Sequence, residues 1–421
     1  MDDREGSERV TVENLPLCRL CQTPLSETFV DLGMSPPCEN FLVADELDAM
    51  ERTYPLHVRL CPSCLLVQLP DYIDPDEIFS EYAYFSSFSD SWVAHAKRYA
   101  DAMIERLGLG RDSLVVEVAS NDGYLLQHFV ARDIPVLGIE PAANIAEVAV
   151  EKGIRTQVCF LGEKTGFEAA EEFGRANLVA ANNVYAHIPD LIGFTKGLRA
   201  LVADDGWVTI EVQHLLRLIE RRQYDTIYHE HFQYYTLLTL IRALRSGGLE
   251  VVDVEELATH GGSIRAFARP VEVAGPASEA VRRVLAEERA AGLDTVAGHA
   301  GFAHAVLQIK RDLLGFLIEA SREGKTVAGY GAPGKGNTLL NHCGIRGDLL
   351  QYTVDRNPYK HGRFLPGTHI PVHAPEQLAI TKPDYVLILP WNLRTELVEQ
   401  LDYVKEWGAR LVLPIPQLEI V

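Results

Sequence analysis

The chain has 421 residues, of which 47% are hydrophobic and 23% are charged, as is usual for a globular protein of two or three domains. Its formal net charge of −20 argues against a nucleic-acid partner, because binding phosphates needs a surplus of lysine and arginine. No apolar run approaches the length of a membrane span, and the N-terminal "MDDREGSERV" is too polar for a signal peptide. We therefore expect a cytoplasmic protein with no membrane partner.

Two C-x-x-C hooks stand near the N-terminus, Cys18 with Cys21 and Cys61 with Cys64. Each hook can place two thiolates on one turn, and the two hooks together complete a tetrahedral zinc shell. Such a shell leaves no open coordination position, so we expect a structural zinc ion and chemistry elsewhere. Disulfide pairing is the alternative, which the reducing cytoplasm disfavours.

The rest of the chain alternates apolar strands with helical segments. "SLVVEVASNDGYLLQHFVARDIPVLGIEPAANIAEVAVEKGI" has the pattern that opens a doubly wound α/β domain, and a second α/β unit begins at "KTVAGYGAPGKGNTLLNHCG". Between them, residues 276–322 have helical spacing. The expected fold is α/β, with an N-terminal zinc-ribbon-like domain at residues 1–75 and two Rossmann-like doubly wound domains at residues 76–310 and 311–421.

The first nucleotide-like site follows the strand that ends at Glu117. The turn from Ala119 to Gly123 is made of small residues, and Glu140 ends the next strand, where a carboxylate can accept hydrogen bonds from ribose hydroxyls. Glycines are too sparse for a pyrophosphate, and the acidic side chains suit a sulfonium and an α-amino group, which favours S-adenosylmethionine. A plain α/β turn with a buried salt bridge is the alternative. The predicted contacts are Glu117, Ala119, Asn121, Asp122, Gly123, Tyr124, Glu140, Pro141, Asn182 and Asn183.

The segment "QYDTIYHEHFQYYT" is the densest cluster of acid–base side chains. If it is extended, Tyr228 and Glu230 share one face while His229 and His231 share the other. Histidine is the natural base near neutral pH. His187 is a second candidate for the same cleft, and Tyr82 is predicted to cover it. A metal site on the His-x-His pair and a plain surface loop are the alternatives.

A glycine-rich loop, "VAGYGAPGKGNTLLN", follows a strand in the C-terminal unit and opens a helix. With Asp355 at the end of the next strand, this pattern alone indicates NAD. The lysine in the loop instead suits the diphosphate of a nucleotide-linked substrate. The predicted substrate contacts are Tyr330, Lys335, Asn337, Asp355, Trp391 and Asn392.

In this order, "CRLC", "CPSC", "YAYFSSFSDSW", "EVASNDGYLL", "GIEP", "NNVYAHIPD", "YHEHFQYYT", "GYGAPGKGNTLLN" and "LPWNL" resemble the S-adenosylmethionine-dependent sugar C-methyltransferases of antibiotic deoxysugar pathways. The resemblance runs from about residue 18 onward. It implies a zinc domain, a middle domain that binds the methyl donor, and a C-terminal domain that helps to hold a thymidine-diphosphate (TDP) 4-keto sugar. It also implies that His231 is the general base, with Tyr82, His187, Tyr228 and Glu230 around the sugar. Pro333 and Gly334 depart from the family's usual loop.

The expected reaction is methyl transfer to C-3 of a TDP-linked 4-keto-deoxysugar through a base-generated enolate. The first alternative is an NAD(P)H-dependent 4-ketoreductase, alone or beside methylation, which uses the C-terminal glycine-rich loop. The second is a zinc-ribbon binding module that has no catalytic activity.

Overall fold

The computed structural model describes residues 15–73 and 86–421. The strands are β1 Glu27–Ser35, β2 Tyr54–Leu60, β3 Val67–Gln68, β4 Val115–Val118, β5 Val136–Ile139, β6 Thr156–Gln157, β7 Ala176–Asn182, β8 Val202–Gln213, β9 Gln233–Tyr234, β10 Leu249–Leu257, β11 Ser263–Pro270, β12 Val327–Tyr330, β13 Thr353–Val354, β14 Val372–His373, β15 Tyr385–Ile388, β16 Arg410–Leu413 and β17 Glu419–Ile420.

The helices are α1 Asp90–Leu107, α2 Leu126–Val130, α3 Ala143–Glu151, α4 Glu163–Phe173, α5 Leu191–Leu201, α6 Leu215–Glu220, α7 Leu237–Ser246, α8 Glu279–Ala290, α9 Phe302–Arg322, α10 Gly334–Cys343, α11 Gln377–Thr381 and α12 Arg394–Gln400. No helix in the described parts of the chain is long and apolar enough to span a bilayer.

The N-terminal sheet is antiparallel, in the order β1-β2-β3-β9. Every second residue of β2 is buried, as expected for a sheet with one face on the core. That face packs against α9, where the rings of Phe29 and Phe302 stack with centroids 4.7 Å apart. The fourth strand, β9, comes from the predicted middle domain, so the zinc region and the middle region share one sheet.

The middle sheet has the order β10-β11-β8-β7-β4-β5-β6. Strands β8, β7, β4, β5 and β6 are parallel, and β11 runs antiparallel to both β8 and β10. All four residues of β4 are buried because helices cover both faces of a parallel sheet. The carboxyl ends of β4, β7 and β8 therefore meet at one edge, which is where ligands bind in open α/β sheets.

The C-terminal sheet has the order β14-β13-β12-β15-β16-β17, and only β17 is antiparallel to its neighbour. The long helix α9 leads into it and buries one side, with Val306, Ile309, Leu313 and Leu317 spaced three or four residues apart. Two mainly parallel α/β sheets and an N-terminal sheet whose flanking loops carry the four hook cysteines confirm the expected fold class. The predicted domain boundaries stay a prediction.

A segment of the N-terminal region reaches across to the C-terminal sheet. Leu42 and Phe364 exchange backbone hydrogen bonds of 2.9 and 3.0 Å, and the Glu51 carboxylate accepts a hydrogen bond from the Gly367 amide. The N-terminal and C-terminal regions consequently form two walls of the same cavity, and the edge of the middle sheet forms the third.

Candidate active site

A cavity of about 2100 Å³ lies where the three sheets meet, and described residues from all three line it. Pockets for a single small ligand typically measure about 300–1000 Å³. The space is therefore sufficient for two substrates side by side, as a transfer reaction requires.

The four hook cysteines come together beside this cavity, and their sulfur atoms all lie within 4.8 Å of one another. Cys18 Sγ lies 3.5 Å from Cys64 Sγ, and Cys21 Sγ lies 3.4 Å from Cys61 Sγ. A tetrahedral shell with zinc–sulfur bonds of about 2.3 Å places its sulfurs about 3.8 Å apart. The cluster fits a Zn²⁺ ion, and four thiolates leave no position open for catalysis.

The two hooks adopt the same backbone turn. Gln22 and Leu65, which follow the second cysteine of each hook, have φ angles of 60° and 64°. Their amides donate hydrogen bonds of 2.9 and 3.0 Å to the carbonyls of Cys18 and Cys61. The side chain of Gln68 donates to Cys18 Sγ at 3.1 Å, which orients that ligand.

The donor loop connects β4 to α2. Ala119, Asn121 and Gly123 have φ angles of 56°, 49° and 78°, and a Cβ on Gly123 would lie 2.2 Å from the Ile154 side chain. Glu140 fixes the loop, because its carboxylate accepts hydrogen bonds from the amides of Asn121 and Ala142, both at 2.9 Å. A carboxylate has about four acceptor sites, so two remain for ribose hydroxyls. Burial raises the pKa of Glu140.

Most of the predicted donor contacts face the cavity. The described residues of this set that line it are Ala119, Asn121, Tyr124, Glu140, Pro141, Asn182 and Asn183. Asn182 Oδ1 and Asn183 Nδ2 are buried, with no hydrogen-bond partner among the described residues, so the end of β7 presents an acceptor and a donor to a ligand. These side chains fit S-adenosylmethionine.

Glu117, Asp122 and Gly123 are not among the described residues that line the cavity. Asp122 forms an ion pair with Lys152 at 3.2 Å and accepts a hydrogen bond from Ser87. Burial raises the pKa of Glu117 well above its usual range. In the structure these three residues lie on the side of the loop that faces away from the cavity. Their predicted contact with the donor stays a prediction.

Sequence reasoning missed several residues on the donor side of the cavity. Trp92, on α1, stacks on Tyr124 with centroids 6.2 Å apart, and Cys159, Phe160 and Leu161 also line the wall. The last three follow β6, which is only two residues long, so no strand pattern marked them. An apolar wall beyond the end of β6 suits an adenine ring.

The acid–base segment forms a turn, since the His231 amide donates to the Tyr228 carbonyl at 2.9 Å. The alternation expected for an extended segment is therefore wrong. Tyr228 and His231 lie together with ring centroids 4.0 Å apart, and His187 approaches His231 to 4.7 Å. His229 also lines the cavity, but its Nε2 lies 3.3 Å from the Tyr54 carbonyl on β2. Tyr82 lies outside the described residues.

His231 has the geometry of a general base. Its Nδ1 lies 2.7 Å from the Thr226 carbonyl, an acceptor, so Nδ1 carries the proton and Nε2 keeps its lone pair. Burial and the neighbouring His187 hold the pKa of His231 well below its usual range. Burial lowers the pKa of His187 to about 4. Both imidazoles are thus neutral near pH 7.

The pKa of Glu230 is shifted in the opposite direction, upwards. Its carboxyl is buried, and it accepts a hydrogen bond from Cys38 Sγ at 3.8 Å. Burial and the nearby Glu39 carboxylate raise its pKa to about 8, so Glu230 is a neutral hydrogen-bond donor at pH 7. Glu230 and His231 both line the cavity, so the same cavity contains a neutral imidazole and a protonated carboxyl, the two protonation states that an acid–base pair needs.

Among the described residues, no third metal ligand joins the His229 and His231 pair. Within residues 15–73 and 86–421, the four hook cysteines are the cluster of potential ligands that reaches three or more. A metal site on the His-x-His pair finds no support there.

Three of the predicted substrate contacts, Lys335, Asp355 and Asn392, line the cavity. The Lys335 ammonium donates to Asn392 Oδ1 at 3.0 Å and lies 5.1 Å from the centre of the Trp391 ring. Burial lowers the pKa of Lys335, and Asp225 opposes the shift.

The other three predicted contacts, Tyr330, Asn337 and Trp391, hold structural elements together. Asn337 Nδ2 donates to the Cys38 carbonyl at 2.6 Å, and the Tyr330 hydroxyl accepts from Gln400 at 2.8 Å. Trp391 Nε1 donates to the buried Asp225 carboxylate at 2.5 Å, which joins the C-terminal sheet to the acid–base segment. Their role as direct substrate contacts stays a prediction.

The glycine-rich loop does not fit a dinucleotide. The Asp355 carboxylate accepts hydrogen bonds from the amides of Ala332 and Asn357, at 2.7 and 2.8 Å, and like Glu140 it keeps acceptor sites for ribose hydroxyls, so the misfit lies at the helix that follows the loop. At the start of α10, a Cβ on Gly334 would lie 2.8 Å from Cys38 Sγ, and the Gly334 amide donates to the Glu39 carboxylate. This chain's own side chains thus fill the place where a pyrophosphate binds at a helix N-terminus.

Comparison with known proteins agrees with this geometry. Family models match along the chain: a zinc binding domain at residues 18–79, a methyltransferase domain at residues 92–254 and a C-methyltransferase C-terminal domain at residues 258–416. C-methyltransferase NovU of Streptomyces niveus is 38% identical over 405 residues, which cover 96% of each protein.

Among solved structures, an S-adenosylmethionine-dependent methyltransferase from Clostridium acetobutylicum aligns with a TM-score of 0.34 and 11% identity, over 42% of this chain and 92% of its own. Magnesium protoporphyrin IX methyltransferase from Synechocystis aligns with a TM-score of 0.32 and 15% identity, over 42% and 81%. Both scores are too low to add to the assignment. The near-complete match to a C-methyltransferase shows that this chain belongs to the family of S-adenosylmethionine-dependent sugar C-methyltransferases.

Proposed function

We propose that this enzyme transfers a methyl group from S-adenosylmethionine to C-3 of a TDP-linked 4-keto-deoxysugar, in antibiotic deoxysugar biosynthesis. The observation that carries the proposal is a half-buried, neutral His231 with its Nε2 lone pair available, in a cavity that the donor loop also lines. The relative from Streptomyces niveus, named a C-methyltransferase, supports carbon as the methylated atom.

A carbon nucleophile requires a proton to be removed first, and a 4-keto group acidifies the proton on C-3. His231 Nε2 takes this proton, and the electron pair of the C–H bond passes into the enolate. The Thr226 carbonyl, which accepts from Nδ1, stabilises the resulting imidazolium. When bound, S-adenosylmethionine would supply an electrophilic methyl group, and breaking its S–CH3 bond would leave a neutral thioether.

Stabilising the enolate oxygen lowers the barrier most, because charge develops there. Glu230, protonated near pH 7, supplies an uncharged donor beside the base. Tyr228 and His187 flank His231 and are the other groups that we place around this oxygen. In a cavity shielded from water such hydrogen bonds are stronger than in solution.

A nucleotide diphosphate suits the C-terminal wall of the cavity. Although the chain carries a net charge of −20, Lys335, Lys360 and Arg363 all line this wall. Lys360 lies next to α10, where its ammonium donates to the Ala332 carbonyl at 2.8 Å. These cations support a diphosphate on the C-terminal side, with the sugar directed towards His231.

The pH dependence of kcat/KM is expected to have an unusual basic limb. His231 and His187 stay unprotonated well below pH 6.5 because their pKa values are lowered, so activity persists into mildly acidic solution. As the pH rises through about 8, Glu230 loses its proton and kcat/KM falls. Glu230→Gln keeps an uncharged donor, so we expect kcat/KM within about tenfold of wild type and no limb near pH 8. Identical profiles for the two enzymes would exclude Glu230 as the titrating group.

The proposed function is tested with S-adenosylmethionine that carries a ¹³C-labelled methyl group and a panel of TDP-linked 4-keto-deoxysugars. We expect one sugar of the panel to acquire the label as a methyl group on C-3, identified by its carbon shift and coupling in NMR. Label on an oxygen, or on no member of the panel while the donor binds normally, contradicts the proposal.

A further inference from the structure

The turn between β10 and β11 lies at the edge of the middle sheet where β4, β7 and β8 end. Because β11 is antiparallel to both β8 and β10, β10 runs in the same direction as β8, and its carboxyl end lies at the edge where β4 and β7 also end. The turn that follows, residues 258–262, contains His260, which lines the cavity.

The backbone of this turn is strained. His260, Gly261 and Gly262 have φ angles of 51°, 83° and 127°, a left-handed run in which a histidine is uncommon. Two side chains fix it, since Gln223 Nε2 donates to the Gly261 carbonyl at 2.8 Å and Arg221 donates to the same oxygen at 2.6 Å. Strained residues held by their surroundings cluster at functional sites.

The imidazole of His260 projects into the cavity. The residue is exposed and lines the cavity. The surrounding protein and the Lys335 ammonium lower the pKa of His260 to about 4. Its ring lies 5.2 Å from that of Trp92, on the donor side. His260 also acts electrostatically on both His187 and His231. His260 thus lines the same cavity as the donor wall and the base.

We propose that His260 is a further catalytic residue, whose imidazole N–H donates a hydrogen bond to the acceptor oxygen on which negative charge develops. The proposal rests on the proposed function. A neutral imidazole donates without adding a charge that would oppose proton removal by His231. The rigid left-handed turn holds the donor in place before the reaction, so little reorganisation is needed as charge develops.

The test compares His260→Gly and His260→Asn with wild type under methyl transfer. Both replacements tolerate a left-handed φ, so the turn survives in each. For His260→Gly we expect kcat to fall about 100-fold or more, within the range for loss of one stabilising donor, while KM for the sugar changes less than threefold. His260→Asn retains an N–H donor, and we expect it to recover part of kcat.

Lys382→Gly is the matched control, because Lys382 has a φ of 49° on an exposed turn of the C-terminal region. We expect it to leave kcat and KM unchanged. A His260→Gly enzyme that keeps kcat within threefold, or that changes only KM, overturns the proposal. Those outcomes leave wild-type methyl transfer intact, whereas a wild-type enzyme that methylates no 4-keto sugar overturns the proposed function itself.

Discussion

Replacing His231 with alanine is expected to lower kcat by about 10³-fold or more while S-adenosylmethionine binds as in wild type. General-base catalysis contributes about 10²–10⁴-fold, and no other described group near the reacting centre has the geometry of His231. The neighbouring imidazole of His187 is held in a different position, and Glu230 is protonated near pH 7, so neither replaces the lost base.

Steady-state kinetics and calorimetric titration with the donor separate the two effects. His229→Asn is the matched control, because His229 belongs to the same segment but contacts the Tyr54 carbonyl on β2. We expect that variant to keep kcat within about fivefold of wild type. Normal turnover in His231→Ala would remove His231 from the mechanism, and a parallel loss of donor binding would indicate general damage to the fold.

Removing zinc is expected to abolish turnover through loss of folded structure around the base. Zinc bound by small domains contributes about 10–16 kcal/mol to folding. The cluster is connected to the base by short contacts, since Cys18 is hydrogen-bonded to Gln68, which lies on β3 and pairs with Gln233 on β9. His231 stands two residues before β9.

For Cys61→Ser, or the wild type treated with a strong chelator, we expect loss of bound zinc and a fall in Tm of more than 10 °C, measured by metal analysis and thermal unfolding. Cys159 lies apart from the cluster, so Cys159→Ser should retain its full zinc content. Restoring Zn²⁺ to the chelated protein should restore both Tm and kcat. Unchanged Tm and kcat in zinc-free protein would show that the metal does not support the site.

Local patterns in the sequence predicted the cysteine cluster and the turn between β4 and α2, for a physical reason. A C-x-x-C hook closes on itself within one turn, and Glu140 follows the strand next to the loop that it fixes. In such cases the partner is close in sequence or is set by the order of parallel strands, so the residues themselves specify the geometry.

The unpredicted parts of the site depend on contacts between distant residues. Cys38 and Glu39 contact the glycine-rich loop at Gly334, almost 300 positions later in the chain. The sequence alone therefore could not show that this NAD-like loop is occupied by the protein's own side chains. Tryptophan is a residue type that often stacks on ligands, yet Trp391 donates a hydrogen bond to Asp225 from another region of the chain. His260 carried only one signal, a histidine before two glycines, which marks a left-handed turn but not the side to which it points.

The most direct measurement uses a TDP-linked 4-keto-deoxysugar that carries deuterium at C-3, with mass spectrometry and NMR of the product. Proton removal by His231 before carbon–carbon bond formation predicts a product that has gained the methyl group and lost the deuterium. A methylated product that retains the C-3 deuterium would place the methyl group on another atom and contradict the enolate mechanism.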